Sequence, residues 1–186
     1  MRPLALAAAC VLALSSAGCL IVTLHPAYDD ATIQFDEGLV GSWKADEDDT
    51  TVELAQGEWR SYRVTLASPR GSTTLSGHLT RVGSLDVLDL MPATGIDLAT
   101  LSIAVHVSVR IQRDGDTLAV SAMDYESARK ALPKPFGIQA VMDERQNVVI
   151  TAGTSELRTW LSRQGTGAAV FGAASTLRRV RPADVR

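Results

Sequence analysis

Cysteine is nearly absent from this chain: its 186 residues hold two, Cys10 and Cys19. No disulfide framework and no thiolate-based metal site can be built from that pair, so stability must come from an ordinary core. Aromatic residues are scarce too, with three each of Trp, Tyr and Phe, and packing must therefore be mostly aliphatic. Neither sign of charge dominates: 18 Lys and Arg against 21 Asp and Glu leave a formal net charge of −3. This balance argues against nucleic acid as a partner, which requires a basic patch, and against a polybasic grip on anionic lipid. The three histidines, His25, His78 and His106, are far apart in sequence. No His-x-x-x-His, Gly-x-Ser-x-Gly or Gly-x-x-x-x-Gly-Lys-Ser/Thr spacing occurs, so no enzyme activity, cofactor or metal is expected.

What is present begins at the N-terminus. One positive charge at Arg2, an apolar run over residues 4–14 and the small residues Ser15-Ser16-Ala17-Gly18 read as a secretory signal peptide. Cys19 follows directly. Ala17-Gly18-Cys19 resembles the lipobox of bacterial lipoproteins, although Ser16 stands where that family usually carries Leu. The resemblance implies that residues 1–18 are removed and that Cys19 becomes a lipidated N-terminus. Two readings of the same residues stay open: an ordinary signal-peptidase site, or a membrane span over the uncharged residues 3–24, close to the ~20 residues a bilayer needs. Removing residues 1–18 takes away Arg2 and no acid, changing the formal charge from −3 to −4. A mature protein so anchored would be held by two or more acyl chains, each buried CH₂ adding ~0.8 kcal/mol. Leu20 follows the cysteine where an inner-membrane retention signal often has Asp. By that analogy the expected location is the cell envelope, at the outer membrane facing the periplasm if the source has two membranes.

Residues 19–36 read as a lipidated N-terminus and spacer, within which Ile33 and Phe35 alternate with polar residues as a short edge strand would. Residues 37–181 read as one β domain, and 182–186 as a tail. The clearest strand is 101–112. Its odd positions are apolar, and its even positions, Ser108 and the surface histidine His106 among them, face solvent. Asp114-Gly115 turns the chain back into a strand over 117–122. Further strands are expected over 40–44, 51–54, 59–67, 73–82, 85–91, 138–142, 148–151 and 176–180. Two short helices are expected, over 124–132 and from a Thr154 or Ser155 cap to about Arg163. Val64, Leu66, Val105, Val107, Val109, Leu118 and Val120 should point inward.

Many short antiparallel strands with few helices imply a mainly β fold, a curved antiparallel sheet or a barrel. Gly41-Ser42-Trp43 is similar to the Gly-x-Trp signature of lipocalins. That resemblance implies a barrel whose floor the Trp closes beneath a basic residue of the last strand, Arg178 or Arg179. Trp43 as one more core aromatic is the alternative. The acidic run Asp46-Glu47-Asp48-Asp49 lacks the spacing of a calcium loop and reads as a solvated turn, and Gly165-Thr166-Gly167 as a helix exit. The functional expectation is an anchored structural or interaction module of the envelope, partnered by the membrane and by an envelope protein. The alternative is a lipocalin-like pocket for a small apolar ligand or lipid.

Overall fold

The computed structural model describes residues 21–93, 104–126, 128, 137–142, 148–164 and 170–181. Eight antiparallel strands close into a barrel: β3 (Gly41–Ala45), β4 (Thr51–Gln56), β5 (Ser61–Ser68), β6 (Gly71–Val82), β7 (Leu85–Pro92), β8 (Val107–Asp114), β9 (Thr117–Ala122) and β12 (Ser175–Arg179). Each strand pairs with the one before it in this series, and β12 returns to β3 to close the ring. Closure removes the long unpaired edges that an open sheet would leave.

Tight turns make this up-and-down order possible. Asp114, Gly115 and Asp116 reverse β8 into β9, with Gly115 at φ +55. Trp59 and Arg60, expected to begin β5, instead take φ of 42 and 61, turning the chain so that the strand starts at Ser61. The strand expected over 101–112 begins its ladder at Val107, with His106 bridged separately to Thr23, and residues 101–103 lie outside the described set.

A second, three-stranded sheet covers part of the barrel's outside, built from β1 (Ile21–Thr23), β10 (Ala140–Met142) and β11 (Val148–Ile150) in the order β1-β11-β10. β1 and β11 run parallel, a departure from the all-antiparallel expectation. The helix α1 (Thr154–Arg163) sits beside it with Leu157, Trp160 and Leu161 buried. Its N-cap is Gly153, not Thr154 or Ser155, and no side chain caps it. Among the described residues α1 is the one α-helix whose bounds are seen, accompanied by a 3-10 turn over Glu37–Leu39, while of the other helix expected only residues 125, 126 and 128 are described, and they are helical. The segment 124–132 shows a hydrogen bond from Ala128 N to Asp124 O at 3.0 Å, and most of it lies outside the described residues. No described helix is long and apolar enough to cross a membrane.

Two cores result. One fills the barrel; the other lies between the barrel's outer surface and the second layer, where Ile21, Val87, Ile150, Leu161 and Phe171 meet. The segment expected to act as a spacer is laid onto this surface instead. Ile21, Thr23, Ala27 and Ile33 are buried, and β2 (Ile33–Gln34), the short strand anticipated there, pairs with β6.

Candidate functional site

The barrel interior is the site that a ligand-binding reading requires. Val64, Leu66, Val107, Val109, Leu118 and Val120 belong to its core cluster, as expected from strand alternation, whereas Val105 is half-buried and lies outside it. The free space left among these side chains is about 70 Å³. Drug-sized ligands occupy pockets of roughly 300–1,000 Å³, and a barrel of this strand number is one that side chains alone can fill. A more open groove of about 420 Å³ lies on the outside, between the turn after β4 and the end of β7, with Glu58, Arg63 and Met91 in its walls.

One end of the barrel is closed by Trp43, which is 0% exposed and donates from Nε1 to the carbonyl of Leu39 at 2.9 Å. The guanidinium of Arg179 lies over the indole, 4.2 Å from the ring centroid. Of the two arginines considered, Arg179 is therefore the partner of Trp43, while Arg178 turns outward to Asp46 at 2.9 Å. Arg179 also donates to the carbonyls of Val40, at 2.8 Å, and of Gly38. Gly41 is required by this arrangement. Its φ is +139, and an added Cβ would lie 2.6 Å from Arg179 Nη1. The eight-stranded barrel with this floor is consistent with a lipocalin-like barrel.

A polar row lies on the outer face, where solvent was expected. His78, Asp89 and Ser108 are cross-strand neighbours on β6, β7 and β8. Asp89 is 0% exposed, and its carboxylate is shared between two partners: Oδ1 is 2.6 Å from His106 Nδ1, and Oδ2 accepts from Ala27 N at 2.8 Å. The backbone of His106 exchanges hydrogen bonds with Thr23 at 3.0 and 2.8 Å. Tyr28 stacks on His78 at 4.3 Å and meets His106 edge-on at 6.4 Å. Burial pushes the His78 imidazole below its ordinary 6.5, against the pull of the Asp89 charge, with His106 adding to the depression. Burial, followed by the charges of Asp89 and Asp30, raises the Tyr28 phenol above its ordinary range.

The reading of His106 and Ser108 as solvent-facing is thus corrected: both are buried, because residues 21–28 cover the β7 and β8 surface. His106 does hydrogen-bond, but to a buried carboxylate. Ser108 Oγ and His78 Nδ1 are buried without a hydrogen-bond partner in the described structure. The row therefore lacks the nucleophile-to-base contact that activates a serine. What it accomplishes is to hold the chain after β1 against the barrel. Arg158 of α1 adds to this by donating to the carbonyl of Ala27 at 2.6 Å and to Thr80 Oγ1 at 3.0 Å.

Cys19 and residues 165–167 lie outside the described residues. The acidic run forms the β3–β4 turn, where Asp46 faces Arg178, Asp49 faces Lys44 at 3.2 Å and Asp48 accepts from Thr50 N at 2.8 Å. His25 is exposed and stands apart from the buried row. No family model, no curated protein and no solved structure matches this chain.

Proposed function

We propose that this chain is an exported bacterial lipoprotein, anchored in the cell envelope through acyl chains on Cys19. Its barrel is a filled scaffold that acts through its surface as a structural or interaction module. The observation that carries the second half is the interior, where aliphatic side chains leave about 70 Å³, several times less than a small-molecule pocket needs. The first half is supported by the residues themselves: a charged start, an apolar run and Ala17-Gly18-Cys19. Leu20 after the cysteine favours the outer membrane, facing the periplasm, in a source with two membranes.

A reading as a carrier of small apolar ligands draws support from walls that are aliphatic except for Ser175, with Leu54, Leu88 and Val109 among them, but the space is too small without repacking. Metabolic labelling with a fatty acid tests the anchor. Cys19→Ser should abolish incorporation and leave a precursor that retains residues 1–18 or a protein released from the membrane. Undiminished labelling in that variant would overturn the assignment.

A further inference from the structure

We infer that β10, the exposed outer strand of the three-stranded sheet β1-β11-β10, rests on the bilayer interface that holds the acyl chains of Cys19. The inference rests on the reading of Cys19 as the lipid anchor and adds to it an orientation of the whole body.

Chain length comes first. β1 begins at Ile21, so two residue steps separate it from Cys19, and two steps reach at most roughly 7 Å. β1 cannot drift from the body. Thr23 exchanges backbone bonds with His106, Leu24 N donates to Ile150 O at 2.9 Å, and Ala27 is fastened to Asp89. An anchor this close to a fixed strand leaves no long tether for the barrel to swing on, so the bilayer must lie near the start of β1.

Register then says what lies beside that start. Ile21, Val148 and Met142 form one row across the three strands, and Val22, Val149 and Val141 form the next. At roughly 4.8 Å between strands, Met142 lies within roughly 17 Å of the Cys19 backbone. The second row is entirely valine, on the face opposite the one that places Ile21 and Val148 in the buried core; in it Val22 is buried, Val149 half-buried and Val141 exposed. Val141, on that outer face, is 55% exposed, and Met142, on the other face at the end of the strand, is 50% exposed; among the described residues the remaining exposed large apolar side chain is Trp59 in the turn after β4. Among the described residues β10 is also the outer strand of its sheet, with one edge unpaired. The apolar surface that water disfavours thus sits beside the proposed acyl chains. With a mature charge of −4, and with Arg178, Arg179 and Arg181 paired with Asp46 and Asp116, apolar contact is the attraction on hand.

The cysteine content makes the test clean. In the acylated mature chain the Cys19 sulfur is blocked and Cys10 is gone, so Val141→Cys or Met142→Cys supplies a single free thiol for a nitrobenzoxadiazole dye. Glu53→Cys, exposed on β4 across the barrel from β8, is the reference position. Each labelled protein is reconstituted into phosphatidylethanolamine–phosphatidylglycerol vesicles, recovered by flotation and quenched with spin-labelled lipid. Blue-shifted emission and severalfold stronger quenching at 141 and 142 than at 53 is the expected result. Floated protein with water-like, equally quenched dyes at all three positions would overturn the orientation while leaving the anchor intact. Protein that does not float would overturn the anchor and the orientation together. A blue shift without vesicles that grows with protein concentration would assign the surface to a second copy of this chain, also against the inference.

Discussion

At Gly41 an added methyl group would collide with Arg179 and sit on a backbone of φ +139. Gly41→Ala should therefore cost about 1–3 kcal/mol, the usual range for a strained backbone position. Arg179→Ala should cost a similar ~1–3 kcal/mol, since it removes the cation over Trp43 and leaves the carbonyls of Val40 and Gly38 without their donor. Urea unfolding of the soluble body measures both, and a loss below about 0.5 kcal/mol for either would mean that the floor is not built as described. Ser108 makes the sharper contrast. Ser108→Asp would place a second carboxylate beside fully buried Asp89 and should cost several kcal/mol, whereas Ser108→Ala removes an unpartnered hydroxyl and should lie within about 0.5 kcal/mol of the parent. His78 gives the pH dependence. Its folded pKa lies below 6.5, so the unfolded chain binds more protons, and stability falls as pH drops through 6.5 until the folded value is passed. His78→Phe, which keeps a ring against Tyr28, should flatten that part of the acid slope in thermal melts between pH 5 and 7.5, two values bracketing the usual histidine range of about 6.5. A slope identical to that of the parent would contradict the assignment.

Among the elements, the chain between β1 and β2 depends most on a single side chain. Asp89→Asn keeps the shape but loses the charge that Ala27 N and His106 share. Amides of Thr23 and Ala27 should then exchange with solvent roughly tenfold faster or more, matching the ~1.5–3 kcal/mol of a hydrogen bond to a charged group, while Val64 and Leu118 inside the barrel keep their protection. Equal protection at all four would show that the carboxylate does not hold the segment. This clamp was the part of the molecule least legible in the sequence. Strand alternation marked the inward side chains of β5, β8 and β9, Asp114-Gly115 marked its hairpin, and the resemblance carried by Gly41-Ser42-Trp43 pointed to Arg178 or Arg179, between which only the structure decides. Alternation reports only that one face differs from the other; on β8 it assigned the polar face to water because serine and histidine are compatible with either setting. A signal did exist on β7, where Leu85 and Val87 face one side and Leu88 and Leu90 the other. A strand apolar on both faces is buried on both faces, and Asp89 within it required a buried partner. The three-residue strands β1 and β10 are too short for periodicity to reveal.

For the whole molecule, a closed barrel packed mostly with aliphatic side chains and an outer layer that fastens the N-terminal segment just after Cys19 support the proposed reading of a body carried by its anchor and working through its outside. The filled interior is the claim on which this rests. A long-chain fatty acid, followed by the change in its own fluorescence or by calorimetry, can be titrated into the soluble body made from residue 19 onward with Cys19→Ser. The account predicts no saturable binding, because about 70 Å³ of free space cannot receive the chain. One molecule bound per barrel, with binding lost when Leu118→Trp fills the interior of a variant that still melts cooperatively, would contradict it.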